Sequence, residues 1–199
     1  MTVQNQDHYY DVLRQDCWDN ASHAFGTQYI YSNRSRLLSK LLKANNFLGI
    51  IVPVMVGGIV TSYSISDENL QIIIWTAATF SLIQLFLSVM SLSYKWDDSY
   101  AYYLESCTDN STISNDYMQL AKFPPKKILE FKAKKQFIDL KYDIRSSGDS
   151  KYPLSEKEKR RGMKFSLRNF RRSCAGCGIV PTDMNSTDCG VCGNFNFLT

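Results

Sequence analysis

Two uncharged apolar stretches decide the fold: ANNFLGIIVPVMVGGIVTSY at residues 44–63 and LQIIIWTAATFSLIQLFLSVMSL at residues 70–92. Neither stretch contains Lys, Arg, Asp or Glu, and only the six residues SISDEN separate them. An α-helix needs about 20 mostly apolar residues to cross the hydrocarbon core of a bilayer. Because the link is so short, the chain must return at once, and the pair predicts a two-transmembrane helical hairpin.

The first stretch is the weaker of the two spans. Its unbroken apolar run, residues 47–60, is 14 residues long and contains Gly49, Pro53, Gly57 and Gly58. Apolar runs of this length also occur in buried core helices. A soluble helical hairpin therefore remains the alternative to a membrane hairpin.

The charges around the pair predict its orientation. Basic residues lie on both outer flanks, whereas the link carries only Asp67 and Glu68; the basic residues are Arg34, Arg36, Lys40, Lys43 and Lys95. By the positive-inside rule both termini are expected on the cytoplasmic side. Tyr63, Tyr94 and Trp96 stand where interfacial aromatic residues are expected.

A basic segment follows the hairpin. Residues 122–172 contain 17 basic and 6 acidic residues, a net charge of +11 in a chain whose total is +4. Such a segment beside a membrane can bind anionic headgroups, bind nucleic acid, or form a solvated face. Lipid contact is favoured, and the basic residues expected to face lipid are Lys126, Lys127, Arg160 and Arg161.

The second span has a one-sided distribution of polar side chains. On a helical wheel one arc of about 80° holds the small and polar residues Ala77, Ser81, Gln84, Ser88 and Ser91. In the first span Gly49, Pro53 and Gly57 recur every four residues and form a shallow face for helix packing. The polar arc is either a helix-packing surface or, in an assembly of hairpins, the lining of a wet pore.

Two CxxC pairs near the C-terminus predict a metal site. Cys174 and Cys177 form one pair, Cys189 and Cys192 form the other, and 11 residues separate the pairs. Four thiolates in this arrangement suit tetrahedral Zn²⁺, and the short gap indicates a compact zinc knuckle or ribbon of structural role. A disulfide is disfavoured in the reducing compartment that the orientation implies.

The flanking sequence predicts helices and offers no catalytic constellation. We expect helices at 8–24 and from about 32–35 into the first span, and a continuation of the second span that breaks at 108–112. A further helix should begin at Pro125 and end before a loop at 145–153, and Ser155 with Glu158 should cap a last helix. No phosphate loop or nucleophile elbow occurs in the sequence, so an enzyme is not expected.

The whole pattern is that of an all-α membrane protein with four parts. We predict N-terminal cytoplasmic helices (1–43), the two-transmembrane hairpin (44–92), a basic helical cytoplasmic region (93–172) and a zinc-binding four-cysteine tail (173–199). This architecture resembles the SLATT family, the SMODS and SLOG-associating two-transmembrane effector domains. The spacing CxxC-x11-CxxC also resembles that of the bacterial "mobilome" proteins named for it.

The resemblance implies a function and partners. It implies a bacterial conflict or anti-phage effector of the inner membrane, which oligomerises and permeabilises that membrane when a partner triggers it. The implied partner is a sensor, a nucleotide-signal synthase or a reverse transcriptase. The alternative is a membrane-tethered adaptor that uses the zinc module and the basic helices to recruit a protein or a nucleic acid without opening a pore.

Overall fold

The computed structural model describes residues 3–62 and 67–196 and folds them into five α-helices, with no strand among those residues. The helices are α1 (Val3–Ser62), α2 (Asp67–Ser93), α3 (Trp96–Lys122), α4 (Ile128–Asp149) and α5 (Glu156–Phe170). The all-α prediction is confirmed for the described residues. Tyr63 and the start of the predicted link lie outside them.

The chain divides into two compact units. Unit 1 comprises Met1–Asn33 and Tyr103–Thr199, and unit 2 comprises Arg34–Tyr102. The helices α1 and α3 each contribute residues to both units. The four-cysteine tail belongs to unit 1, and the two apolar stretches belong to unit 2.

Unit 1 has a core built by α1, α3 and α4. The core side chains are Leu13, Cys17, Ala21, Ala24, Ile113, Tyr117, Leu120, Ala121, Phe131 and Ile138. The Tyr117 hydroxyl donates to Asp139 of α4 at 2.7 Å, and burial together with this hydrogen bond raises the pKa of Tyr117. Helix α5 packs on α1 where Gly26 faces Gly162; a Cβ on Gly26 would lie 3.0 Å from the Gly162 carbonyl oxygen.

The predicted break between residues 24 and 32 is wrong, because α1 is continuous there. Ala24, Ile30 and Tyr31 are buried, so this part of the helix is held on one side by the rest of unit 1. The stretch also lacks proline. Tertiary packing therefore outweighs the weak local preference that the sequence shows.

The predicted break at 108–112 is also wrong, and α3 runs through it. The Thr108 and Thr112 hydroxyls donate to the carbonyls four residues earlier at 3.0 and 3.1 Å, and the Asn110 amide donates to the Ser106 carbonyl at 2.9 Å. Hydroxyl and amide groups that bond back to their own helix leave its backbone ladder in place. Their polarity alone does not end the helix.

Helix α4 differs from its predicted bounds at both ends. It begins at Ile128, three residues after Pro125, and it continues to Asp149 through part of the predicted 145–153 loop. The buried Arg145 explains the extension, since it forms ion pairs with Asp149 one turn later and with Glu105 and Asp109 of α3. By contrast, the predicted capping box before α5 is confirmed, with both Ser155–Glu158 bonds present.

Unit 2 contains the two apolar helical segments. Parts of α1 and α2 are long and apolar enough to cross a membrane, within His8–Met55 and Ile74–Ser93. The large side chains of α2 point outward, among them Ile72, Trp75, Phe80, Leu82, Leu85 and Phe86. Two polar side chains of α2, Gln84 and Ser88, contact the first apolar segment.

Candidate metal centre

Two similar turns follow α5 and carry the four cysteines. In the first, the Gly178 N–H donates to the Cys174 carbonyl at 2.8 Å; in the second, the Gly193 N–H donates to the Cys189 carbonyl at 2.9 Å. Gly178 has a φ of +72°, which glycine adopts without steric cost. At Gly193 a Cβ would lie 2.4 Å from the Thr187 carbonyl oxygen. These glycines let each turn close tightly.

The turns bring the four sulfur atoms together. All four Sγ atoms lie within 4.8 Å of one another, with Cys174 and Cys189 3.9 Å apart and Cys177 and Cys192 3.8 Å apart. Four sulfurs at about 2.3 Å from a tetrahedral ion are separated by roughly 3.8 Å. The cluster therefore has the size and donor set of a four-thiolate metal site, as the spacing predicts.

Backbone N–H groups point at the sulfurs. The Gly176 N–H donates to Cys174 Sγ and the Val191 N–H donates to Cys189 Sγ, each at 3.4 Å. Hydrogen bonds from the Cys192 and Val191 backbone N–H groups lower the pKa of Cys189, whereas burial and the neighbouring sulfurs raise the pKa of Cys192. Thiolate is the form that binds metal, so these bonds favour the ligating state.

Helix α5 holds the four-cysteine tail through both apolar and basic side chains. Leu167 and Met163 pack against Cys174, Cys189 and Cys192. Three basic residues of the same helix donate to tail carbonyls: Lys157 to Asn196 at 2.8 Å, Arg160 to Asn194 at 3.3 Å, and Lys164 to Asn185. The buried Lys164 also lies 3.6 Å from Asp183. The chain therefore uses part of its basic surplus internally.

Sequence reasoning missed this use of the basic residues. The sequence does show a basic helix directly before the cysteines. It does not show that backbone carbonyls of the tail are the partners of these basic side chains. Of the predicted lipid-facing residues, Arg160 bonds the tail and Arg161 is half-buried. Lys126 and Lys127 are exposed just before α4.

Two residues of the polar arc of α2 contact the first apolar segment of the same chain. The Ser88 hydroxyl donates to the Asn45 side chain at 3.3 Å, and a Cβ on Gly49 would lie 3.2 Å from Gln84 Nε2. Ser91 is buried, Ala77 is half-buried and Ser81 is exposed. The structure thus places Gln84 and Ser88 in a helix–helix contact within unit 2.

The predicted packing ridge of the first span is used in part. Gly49 lies beside Gln84, whereas Pro53 and Gly57 are exposed.

The two remaining cysteines stand apart from the metal site. Cys17 is fully buried, and burial raises its pKa to about 11, so it stays a neutral thiol; Cys107 is half-buried in α3.

Comparison with known proteins gives one family. The model of the family described as "Mobilome CxxCx(11)CxxC protein" matches residues 14–195, which includes all four cysteines of the site. The 11-residue gap in that description is the gap between Cys177 and Cys189. No curated protein and no solved structure matches the chain.

Proposed function

Since the chain belongs to the Mobilome CxxCx(11)CxxC protein family, we propose that it is a membrane effector of a bacterial conflict or anti-phage system. In this proposal the hairpin of unit 2 inserts into the inner membrane, with both termini cytoplasmic. Several copies assemble and permeabilise the membrane when a partner triggers them. The resemblance to SLATT proteins supports this role and stays a prediction.

The observation that carries the proposal is the outward apolar surface of unit 2. Ile72, Trp75, Leu82 and Phe86 are exposed, and residues 70–92 contain no charged side chain. Contiguous exposed apolar patches larger than a few hundred Å² mark membrane or protein interaction surfaces. Moving one such side chain out of water contributes about 1.5–3 kcal/mol. In this proposal lipid supplies this cover along residues 70–92.

The polar arc gives permeabilisation a specific form. In a single hairpin Gln84 and Ser88 contact Gly49 and Asn45. Polar groups inside a bilayer require polar partners or water. We propose that triggered hairpins exchange these intrachain contacts for a shared wet path that Gln84 and Ser88 line.

Dye release from liposomes tests this function. Triggered wild-type protein is expected to empty dye-loaded liposomes, and overexpression is expected to depolarise cells. The double variant Gln84→Leu, Ser88→Leu should insert normally and release no dye. As a control, Leu82→Ala and Phe86→Ala on the outer side of α2 should leave dye release in place once the protein is inserted. Intact liposomes under every trigger would reject an effector role, and unchanged release by the double variant would reject the lining.

We propose that the four-cysteine site holds structural Zn²⁺. The four-sulfur donor set and the separations of 3.8 and 3.9 Å support this metal. Zinc would fix the two turns against α5, because a tail this short has little core of its own. Metal analysis of the purified chain tests the assignment, which requires about one zinc per chain.

A membrane-tethered adaptor is the second candidate, and one observation favours it. Ile179, Val180 and Val191 are exposed apolar side chains on the four-cysteine tail. They offer a small docking surface on a rigid support. Changing Ile179 and Val191 to Asp should abolish partner recruitment in an adaptor while zinc content is unchanged. An effector whose trigger acts elsewhere should keep its dye release in the same variant.

A further inference from the structure

Helix α4 has two apolar faces, and only one of them belongs to the core. The core face carries Phe131 and Ile138, both buried. The other face carries five exposed side chains, which we call the outer stripe: Leu129, Ala133, Phe137, Leu140 and Ile144. At 100° per residue they fall within an arc of about 80°, on the side opposite Phe131. A soluble helix normally has polar side chains on that side.

The outer stripe is large and lies beside a groove. Leu129 is 78% exposed, Phe137 61% and Ile144 66%. The groove, of about 700 Å³, runs between the end of α3 and α4, and its apolar lining includes Leu120, Phe123 and Phe137. Phe123 is itself 76% exposed. Together these side chains form a continuous apolar surface of the kind that marks an interface.

The charges around the stripe favour a protein partner over a lipid surface. Apart from the exposed Lys126 and Lys127, which precede α4, three basic and three acidic side chains border the stripe and its groove: Lys132, Lys134, Lys141, Asp116, Glu130 and Asp143. Two pairs of them already form ion pairs, Lys134 with Glu130 at 2.8 Å and Lys141 with Asp116 at 3.0 Å. An anionic membrane attracts an excess of basic residues. A border with equal numbers of basic and acidic residues instead suits a protein surface that carries both positive and negative charges.

The outer stripe is complementary to itself. Its members are spaced by four, four, three and four residues, so the outer pair (Leu129, Ile144) and the inner pair (Ala133, Leu140) share one midpoint, close to Phe137. When two copies of α4 cross antiparallel near Phe137, Leu129 of one lies level with Ile144 of the other. In the same register the small Ala133 lies level with the large Leu140. A parallel pair would instead place the small Ala133 opposite Ala133, which leaves a gap. Phe137 meets Phe137 of the other copy in either orientation.

The same register pairs opposite charges on one border of the stripe. Lys132 and Asp143 lie on the same flank of α4, and Lys132 of one copy comes within two residues of level with Asp143 of the other. This contact occurs twice, because a two-fold axis relates the copies. We propose that the outer stripe of α4 pairs antiparallel with the outer stripe of a second copy of this chain.

The α4 pairing is the contact that would join copies in the proposed effector assembly, and to that extent it rests on the proposed function. It involves unit 1 only, so it can be measured apart from permeabilisation. Dye release is recorded on the same samples. A covalent dimer without dye release would reject the effector role and support the α4 pairing. Dye release without a dimer would support the effector role and reject the pairing.

Photo-crosslinking of the full chain in cell membranes tests the proposal. The photoreactive analogue p-benzoyl-phenylalanine is placed at Phe137, whose exposure allows the change, and at Leu104 of α3 as a control. After illumination the Phe137 sample should give a covalent dimer, with the crosslink mapped by mass spectrometry to residues 133–140 of the second copy. The Leu104 sample should give none. A crosslink from position 137 to phospholipid or to another protein, or the absence of a dimer, would overturn the proposal.

A charge-reversal series tests the antiparallel register. Lys132→Glu or Asp143→Lys alone is expected to lower the yield of the Phe137 dimer about fivefold, because each places like charges together twice. The two changes combined should restore at least about half of the wild-type yield, since each new charge again meets its opposite. Yields that do not fall in the single variants, or do not recover in the double variant, would overturn the antiparallel register.

Discussion

The two units of this chain place their apolar side chains in opposite ways. Unit 1 buries Phe131, Tyr117 and Cys17 inside a helical core, and among the described residues every buried side-chain nitrogen or oxygen has a hydrogen-bond partner. Unit 2 turns Leu82 and Phe86 outward and keeps Gln84 and Ser88 against the first apolar segment. Unit 1 therefore has a core of its own besides the exposed outer stripe of α4, whereas the large apolar side chains of α2 in unit 2 are exposed.

The largest predicted effect falls on the four-cysteine tail of unit 1. Changing Cys174 and Cys192 to Ser should remove the metal and unfold the tail, because structural zinc supplies about 10–16 kcal/mol of apparent binding energy in small zinc modules. Elemental analysis should show zinc falling from about one per chain to background, and protease should cleave after α5. The matched control is Cys107→Ser in α3, which should keep its zinc. Wild-type protein without metal would contradict the assignment.

A pair of phenylalanines tests the comparison between the units directly. Phe131→Ala should lower the free energy of unfolding of unit 1 by about 3–5 kcal/mol, because the side chain is fully buried. Phe86→Ala in unit 2, where the ring is 65% exposed, should instead reduce partition into membranes and leave the fold unchanged. Denaturant titration and liposome flotation measure the two effects.

The control for Phe131 lies on the same helix. Phe137 is 61% exposed, so Phe137→Ala should change the unfolding free energy by less than about 0.5 kcal/mol. An equal loss of stability in Phe86→Ala and Phe131→Ala would show that unit 2 forms a hydrophobic core of its own in water, without lipid. The distinction between the units would then fail.

The parts of the structure that sequence predicted correctly depend on local spacing. The residues that determine each CxxC turn are local, since each cysteine pair and its following glycine lie within five residues. The Ser155–Glu158 capping box is equally local. The two uncharged stretches also needed only composition and length. None of these features requires knowledge of a distant contact.

The features that sequence did not predict depend on distant partners. Whether α3 continues past Asn110 is decided partly by Asp149, which accepts from the Asn110 amide at 3.2 Å from 39 residues away. The bond from Arg160 to the tail depends on the Asn194 carbonyl, 34 residues away. The apolar residues of α4 read as one set in sequence, and only the core position of Phe131 separates them into an inner face and the outer stripe.

Arg145 provides a test of how strongly unit 1 depends on its polar interior. Its guanidinium is 8% exposed and pairs with Asp149, which is 13% exposed, as well as with the more exposed Glu105 and Asp109. Arg145→Gln should lower the free energy of unfolding by about 2–3 kcal/mol, because it leaves the Asp149 carboxylate without its cation. Thermal unfolding measures the effect. Lys134→Gln, which removes an exposed ion pair on the same helix, should cost less than about 0.5 kcal/mol.

The smallest predicted effect concerns the helix that carries the four-cysteine tail. Ser155→Ala removes the side-chain acceptor for the Glu158 N–H, and the loss of such a cap costs about 1 kcal/mol. Because Lys157 and Arg160 in the first turns of α5 donate to the tail, fraying there should also speed proteolysis near Asn194 and Asn196. Ser173→Ala, at an exposed position between α5 and the first turn, is the control. A stability loss in Ser155→Ala without faster cleavage of the tail would mean that the four-cysteine tail holds itself together independently of α5.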